Sequence, residues 1–175
     1  SWVAETQEEP DPLDLVSRAE AGALSLLDLS ANRRFAVLDT ERRSRLIERI
    51  ASAAAASSSK LRTVLLNELN LDNSNAPAVA TLLRSSRSGS LRAVAVERNQ
   101  LSEDGLLLLA DAIEGSDLSE LSLANQRAPI STAATMRLLD AMEATPSLVK
   151  LGVGALRDDG VRKRHQQVTM AHTEA

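Results

Sequence analysis

Leu91-Arg92-Ala93-Val94-Ala95-Val96-Glu97-Arg98-Asn99 is the stretch on which the fold turns. Val94 and Val96 are two residues apart, so they share one face of an extended strand. The same spacing, Leu-x-x-(Leu/Val)-x-(Leu/Val), recurs at Leu24-Leu27-Leu29, Leu61-Val64-Leu66, Leu118-Leu121-Leu123 and Leu148-Leu151-Val153. The steps between first leucines are 37, 30, 27 and 30 residues. Leucine-rich repeats run to roughly 20–29 residues, and the long ones carry a helix per unit. Five such strands stacked in parallel make one apolar wall, in which each unit buries its face against its neighbours.

Working outward, an Asn follows several strands: Asn32, Asn99 and Asn125, with Asn67 or Asn70 for the second unit. Asn at that point satisfies backbone groups where the chain leaves the strand. Helical stripes lie between the strands. They are Leu46, Ile47, Ile50 and Ala54; Val79, Leu82 and Leu83; Leu106, Leu109, Ala110 and Ile113; and Met136, Leu139 and Met142, with Leu138 and Ala141 beside them. Asp39 or Thr40, Asn75, Ser102 and Ser131 are the expected N-caps, Pro77 suits a first turn, and Gly115 is expected as a left-handed C-cap.

The reading is an α/β leucine-rich-repeat solenoid of about five strand-helix units, with a parallel sheet on one side, helices on the other and a helical cap at each end. Residues 1–10 read as a flexible lead-in and 11–175 as one domain. Within it, 11–22 form the N-terminal cap, 23–157 the repeats and 158–175 a C-terminal helix and tail. The N-terminal cap helix would use Leu13, Val16 and Ala19; the C-terminal one Val161, Val168 and Met170, starting at Asp158 or Asp159.

Composition agrees with an aliphatic stack. The 175 residues hold one Trp, one Phe and no Tyr, so the core rests on Leu, Val, Ile and Ala. A net charge of −4 argues against a dedicated nucleic-acid binder, which is usually basic with interleaved aromatics. With no Cys, disulfides, thiolate metal sites and cysteine nucleophiles are excluded. No apolar run approaches the roughly 18 residues of a bilayer span, and no membrane partner is expected.

Enzyme signals are weak. His165 and His172 are the two histidines; seven residues apart, they are too distant for one metal site and are expected in solvent. Gly152-x-Gly154 lacks the third glycine of a phosphate loop, Arg157 standing in that place. Asp158-Asp159 are helix neighbours that do not face each other, and capping explains them better. No catalytic residue, cofactor or metal is expected.

Three stretches resemble one known family. They are Val96-Glu97-Arg98-Asn99-Gln100-Leu101-Ser102 followed by Gly105 and the helix 106–113; Leu118-Ser119-Glu120-Leu121-Ser122-Leu123-Ala124-Asn125-Gln126 with Pro129; and Leu148-Val149-Lys150-Leu151-Gly152-Val153, leading through Gly160 into a helix with Arg162 and Met170. Order and content resemble the C-terminal repeat domain of tropomodulins and leiomodins, from about residue 12 to 171. So does a shortened interval, Asn125 lying seven residues past Leu118 where Asn99 lies eight past Leu91. Where that family often carries aromatics after the last strand, this chain has Gly152, Gly154, Ala155 and Leu156.

The resemblance implies a protein-binding module without catalysis, whose expected partner is actin or another cytoskeletal protein. It would act in the regulation or capping of filament pointed ends, in a cytoplasmic, cytoskeletal setting. The alternative is a repeat scaffold in a larger cytoskeletal, ciliary or axonemal assembly, without capping. The tropomyosin-binding helices that precede this domain in the family have no counterpart in these residues, so tropomyosin is not an expected partner of this stretch. The module is expected to be monomeric within a larger protein or assembly.

Loops on a rigid scaffold carry function, so the expected contact residues are Arg98, Asn99, Gln100, Gln126, Arg127 and Pro129, then Arg162 and Lys163. Asn99 and Asn125 would stabilise turns first, while the arginines offer planar, paired hydrogen bonds to a partner. Two basic clusters stand out. Arg42, Arg43, Arg45 and Arg49 read first as a solvated face with local ion pairs, the alternative being a docking patch for an acidic partner; Arg157, Arg162, Lys163 and Arg164, on the exposed end of the stack, read equally as a docking patch or a solvated face.

Overall fold

The computed structural model describes residues 8–174. Five short strands, β1 (Leu26–Asp28), β2 (Thr63–Leu65), β3 (Ala93–Ala95), β4 (Glu120–Ser122) and β5 (Lys150–Gly152), pair in chain order into one parallel sheet. The register is in step throughout: Leu27, Val64, Val94, Leu121 and Leu151 stand side by side. Each points into the core, as do Leu29, Leu66, Val96, Leu123 and Val153 two residues on. The repeated leucine pattern is therefore the wall it was expected to be, and the solenoid reading holds.

Helices α3 (Thr40–Ala55), α4 (Ala76–Ser85), α5 (Glu103–Glu114) and α6 (Thr132–Glu143) form the second layer, each packed on the next. The cap helices α1 (Pro12–Glu20) and α7 (Asp159–Glu174) lie against α3 and α6 respectively. The expected stripes are buried, with Met136 only partly so. Burying a Leu, Val or Ile side chain is worth about 1.5–3 kcal/mol. An all-aliphatic core thus suffices when every unit contributes a strand pair and a helix face.

The first unit is longer than the others because it holds an unforeseen one-turn helix, α2 (Arg33–Ala36), which sends Phe35 fully into the core. Asn32 caps it, accepting from the Phe35 N–H at 2.9 Å and donating to the Pro10 carbonyl at 2.8 Å. Glu9 accepts from the Arg33 N–H at 3.0 Å. Of the lead-in expected at 1–10, residues 1–7 lie outside the described range, while Glu9 and Pro10 are fastened to α2 rather than loose.

Several local expectations are corrected. Asp39 caps α3, Ser131 caps α6 and Asp158 accepts from the Val161 N–H at the head of α7. Asn75 makes no cap bond for α4. It closes a capping box with Asp72 around a 3-10 turn and donates to the Thr40 carbonyl (3.0 Å) and Ser44 Oγ (2.9 Å) of α3. Ser102 caps nothing with its hydroxyl, which accepts from Asn73 at 2.7 Å, while Asn73 Oδ1 accepts from the Ser102 N–H. Gly115 ends α5 at φ −95°, so it is not a left-handed cap. Leu13 and Met170, expected on cap-helix faces, are exposed.

The histidines are not solvent side chains either. Val161, His165, Val168 and His172 form the inner stripe of α7. His165 Nε2 lies 2.9 Å from the Leu151 carbonyl and His172 Nδ1 2.7 Å from that of Leu148. Their ring N–H groups donate to the outer edge of the last strand, which would otherwise offer unpaired backbone to another chain. Apolar residues supply only half of this inner stripe, and the other half is imidazole.

A close backbone approach fixes the loop after α4. A Cβ placed on Gly89 would sit 1.8 Å from the Ala54 carbonyl oxygen at the end of α3. Gly89→Ala is expected to cost about 1–3 kcal/mol, since backbone rather than a flexible side chain must move. Urea unfolding with an unchanged slope would show it as a lower midpoint; an unchanged midpoint would mean the loop moves freely away from the end of α3.

Candidate functional site

The edge where strands turn into helices is built by a repeated backbone device. Ala31, Glu68, Arg98 and Asn125 stand at the same place in the first four units, and all are left-handed, with φ between 54° and 58°. The next residue in each unit turns inward: Asn32, Leu69, Asn99 and Gln126 are buried. Asn99 is 1% exposed and makes five bonds. Its Oδ1 accepts from the N–H groups of Leu69 (2.9 Å) and Leu71 (3.1 Å), and its amide donates to the carbonyls of Leu66, Val96 and Glu97. Gln126 repeats the pattern one unit on, accepting from the Leu101 N–H at 3.0 Å and donating to the Val96 and Leu123 carbonyls.

This corrects the expectation for the fourth unit. The turn-fastening residue there is Gln126, eight residues past Leu118, and Asn125 is exposed. The interval is not shortened; a Gln replaces the Asn. In the second unit Asn67 takes part, its Oδ1 accepting from the Glu97 N–H at 2.7 Å.

The sequence-predicted contact residues fall into three groups. Asn99 and Gln126 are structural, buried beneath the turns. Arg98, Gln100, Arg127 and Pro129 are exposed on adjacent turns, which the Arg127 N–H joins through the Asn99 carbonyl at 2.8 Å. Arg162 and Lys163 stand apart, exposed on the first turns of α7. Arg98 pairs with Glu68 at 3.0 Å and Arg162 with Asp159. Exposed pairs of this kind are worth about 0.2–1 kcal/mol, so a partner carboxylate can replace them.

The two basic clusters resolve differently. In the first, Arg42 pairs with Asp39, Arg45 with Glu41 and Arg49 with Glu20, while Arg43 is buried and donates to the carbonyls of Ala36 and Leu38. Its bond to the Glu20 carboxylate holds the Arg49 guanidinium pKa above its ordinary value. Arg137 is likewise held up, by Glu114 first and Asp111 second, in a clamp between α6 and α5. In the second cluster Arg164 is tied to Asp140 (2.6 Å) and Glu143 (2.7 Å). Arg157 and Lys163 carry no ion pair among the described residues.

Between the turn after β4 and the turn after β5 lies a groove of about 370 Å³, into whose lining Gln126, Arg127, Pro129 and Arg157 enter. Arg157 was expected in the basic cluster at the end of the stack rather than among the turn contacts. Among the described residues no group of His, Asp and Glu is placed to hold a metal, and no helix is long and apolar enough to cross a membrane.

No protein-family model matches the chain. Tropomodulin-4 of Bos taurus and of Homo sapiens are each 34% identical to it over 100 residues, 57% of this chain and 28% of theirs. Tropomodulin-4 of Mus musculus is 37% identical over 78 residues, 44% of this chain and 22% of its own. The matched stretch thus spans about a quarter of those relatives. Among solved structures, a Caenorhabditis elegans tropomodulin C-terminal domain superposes with a TM-score of 0.73 at 21% identity, covering 94% of this chain and 95% of its own. Leiomodin-1 actin-binding site 2 gives 0.76 at 16% identity, covering 92% and 88%.

Proposed function

We propose that this chain is a C-terminal repeat domain of the tropomodulin–leiomodin type, and that it is an actin-binding module acting at filament pointed ends. The observation that carries the reading is a coincidence of two likenesses. The 100-residue match is to tropomodulin-4, and the fold follows, over 92% of the chain, a structure described as an actin-binding site. Mechanistically, a rigid sheet-and-helix stack presents one edge of turns to terminal subunits and blocks exchange sterically. Arg98, Gln100, Arg127 and Pro129 offer the contacts on that edge, with Arg162 and Lys163 beside it on α7. This is a binding role, with no catalytic step, and it sets the protein in the cytoskeleton.

One domain alone binds weakly. A tethered second site would raise avidity by about 10²–10⁴ through effective concentration. The test is depolymerisation of fluorescent filaments from pointed ends, with barbed ends blocked, across a titration of the chain. Dose-dependent slowing at tens of micromolar is expected, roughly the range of a single weak contact. The triple variant Arg98→Glu, Arg127→Glu, Arg162→Glu is expected to raise the required concentration about tenfold or more. No slowing by folded wild-type chain would instead favour a repeat scaffold without capping.

A further inference from the structure

We propose that the groove between the last two strand-to-helix turns docks a partner segment that sets an apolar side chain beside carboxylates. The inference rests on the actin reading for the partner and refines it to one contact. Along the rest of the edge, neighbouring turns are laced together. The N–H of Ala31 donates to Asn67, that of Glu68 to Glu97 and that of Arg98 to Ala124, at 2.9, 3.0 and 3.2 Å. Side chains double the lacing through Asn99 and Gln126. The next rung would join Asn125 to Gly154, and it is missing. Among the described residues no hydrogen bond links 125–131 with 153–158.

The sequence explains the break. Gly154, at φ +83°, turns the chain out one residue earlier than the left-handed residues of the other units. Leu156 then stands where Gln126 and Asn99 stand in their units, and a Leu has no acceptor to offer. The Leu101 N–H is satisfied by Gln126, whereas its counterpart, the Ala128 N–H, has no acceptor among the described residues. The turns part and leave an open groove whose lining includes Ile130, Val153, Leu156 and Val161.

Charge selects the occupant. Arg127 and Arg157 line this groove and, like several arginines elsewhere, carry no ion pair among the described residues. The one carboxylate in the lining, Asp158, already accepts from the Val161 N–H at 3.0 Å. Two free guanidiniums and a backbone N–H around an apolar floor suit an acidic peptide segment with an apolar anchor. A simple anion would leave the floor unused. Arginine at the rim of an apolar pocket is a common composition at interface centres.

The test titrates the isotope-labelled full chain with an acetylated hexapeptide, Leu-Phe flanked by Asp and Glu on both sides, and with its Lys-flanked counterpart, read by amide shifts. Saturable shifts confined to 125–130 and 153–158, with the acidic peptide alone, are expected. Arg127→Glu/Arg157→Glu, checked for fold by circular dichroism, should weaken that binding about tenfold or more. Actin co-sedimentation of the same two proteins separates the two readings. Acidic-peptide binding in the groove by a chain that does not sediment with actin supports the groove and removes actin as its partner. Undiminished co-sedimentation of the double variant with actin, when wild type does sediment, overturns the groove as the actin contact while sparing actin binding. Shifts elsewhere, or equal response to the basic peptide, overturn it outright.

Discussion

Asn99→Ala is expected to lower stability by about 3–5 kcal/mol, among the largest single-residue effects in the chain. The side chain satisfies two N–H groups and three carbonyls in a setting 1% open to solvent. Each buried group left without a partner costs about 1–3 kcal/mol, and water entering the gap restores only some. Two comparisons sharpen the expectation. Gln126→Ala strands one N–H and two carbonyls at a slightly more open site, so it should cost less. Asn125→Ala removes an exposed side chain and leaves only the left-handed backbone penalty, about 1–2 kcal/mol. Urea unfolding of the three variants should rank them Asn99, then Gln126, then Asn125. An Asn125 effect equal to that of Asn99 would restore the simple reading in which every Asn after a strand does the same work.

That ranking also marks where the sequence was legible. Strand positions announced themselves because the wall needs aliphatic side chains at two fixed places per unit, and five copies of one spacing leave little freedom. The helix stripes followed for the same reason. What stayed hidden was whatever a repeat does once. Gln126 does an Asn's work one residue later than the nearest Asn, and only the depth of the side chain distinguishes them. Asn75 and Ser102 sit where caps should be, but their hydroxyl and amide groups serve the neighbouring unit. His165 and His172 complete a helix stripe whose polar half serves a strand edge, a role no count of apolar residues reveals.

The contact residues expected on the turns share an edge but do not form one exposed set. Arg98, Gln100, Arg127 and Pro129 do share it, whereas Asn99 and Gln126 lie under it. Arg157 entered through the groove. Sequence placed it in a basic run of four, and only the structure separates cations already spent on Asp159, Asp140 and Glu143 from those left over. The stretch from 152 to 156, whose lack of aromatics departs from the family's pattern, is also where Gly154 and Leu156 let the last turn part from its neighbour.

Phe35→Ala is expected to cost about 3–5 kcal/mol, the usual range for emptying an aromatic site in a packed core. Phe35 is fully buried and is the one aromatic side chain among the described residues. It belongs to the same continuous core as Val16, Leu27, Leu29 and Ile47. Nothing nearby can collapse easily into the vacated space, because α2 is pinned at both ends. Asn32 holds its start to Pro10, and Arg43 holds its end through the Ala36 carbonyl at 3.2 Å and that of Leu38 at 3.1 Å. Phe35→Leu, which keeps much of the volume, should lose only about 1–1.5 kcal/mol. The damage should also be local. A stacked repeat transmits stability through nearest neighbours, so amide exchange in α1, α2 and the start of α3 should accelerate far more than in β4, α6 and β5. The groove between the last two turns should then keep its peptide binding in the Phe35→Ala chain, provided the midpoint of unfolding stays above the assay conditions. Uniformly faster exchange from end to end would mean the domain opens as one unit, and that the first repeat, despite its inserted helix, is as tightly coupled to the rest as any other.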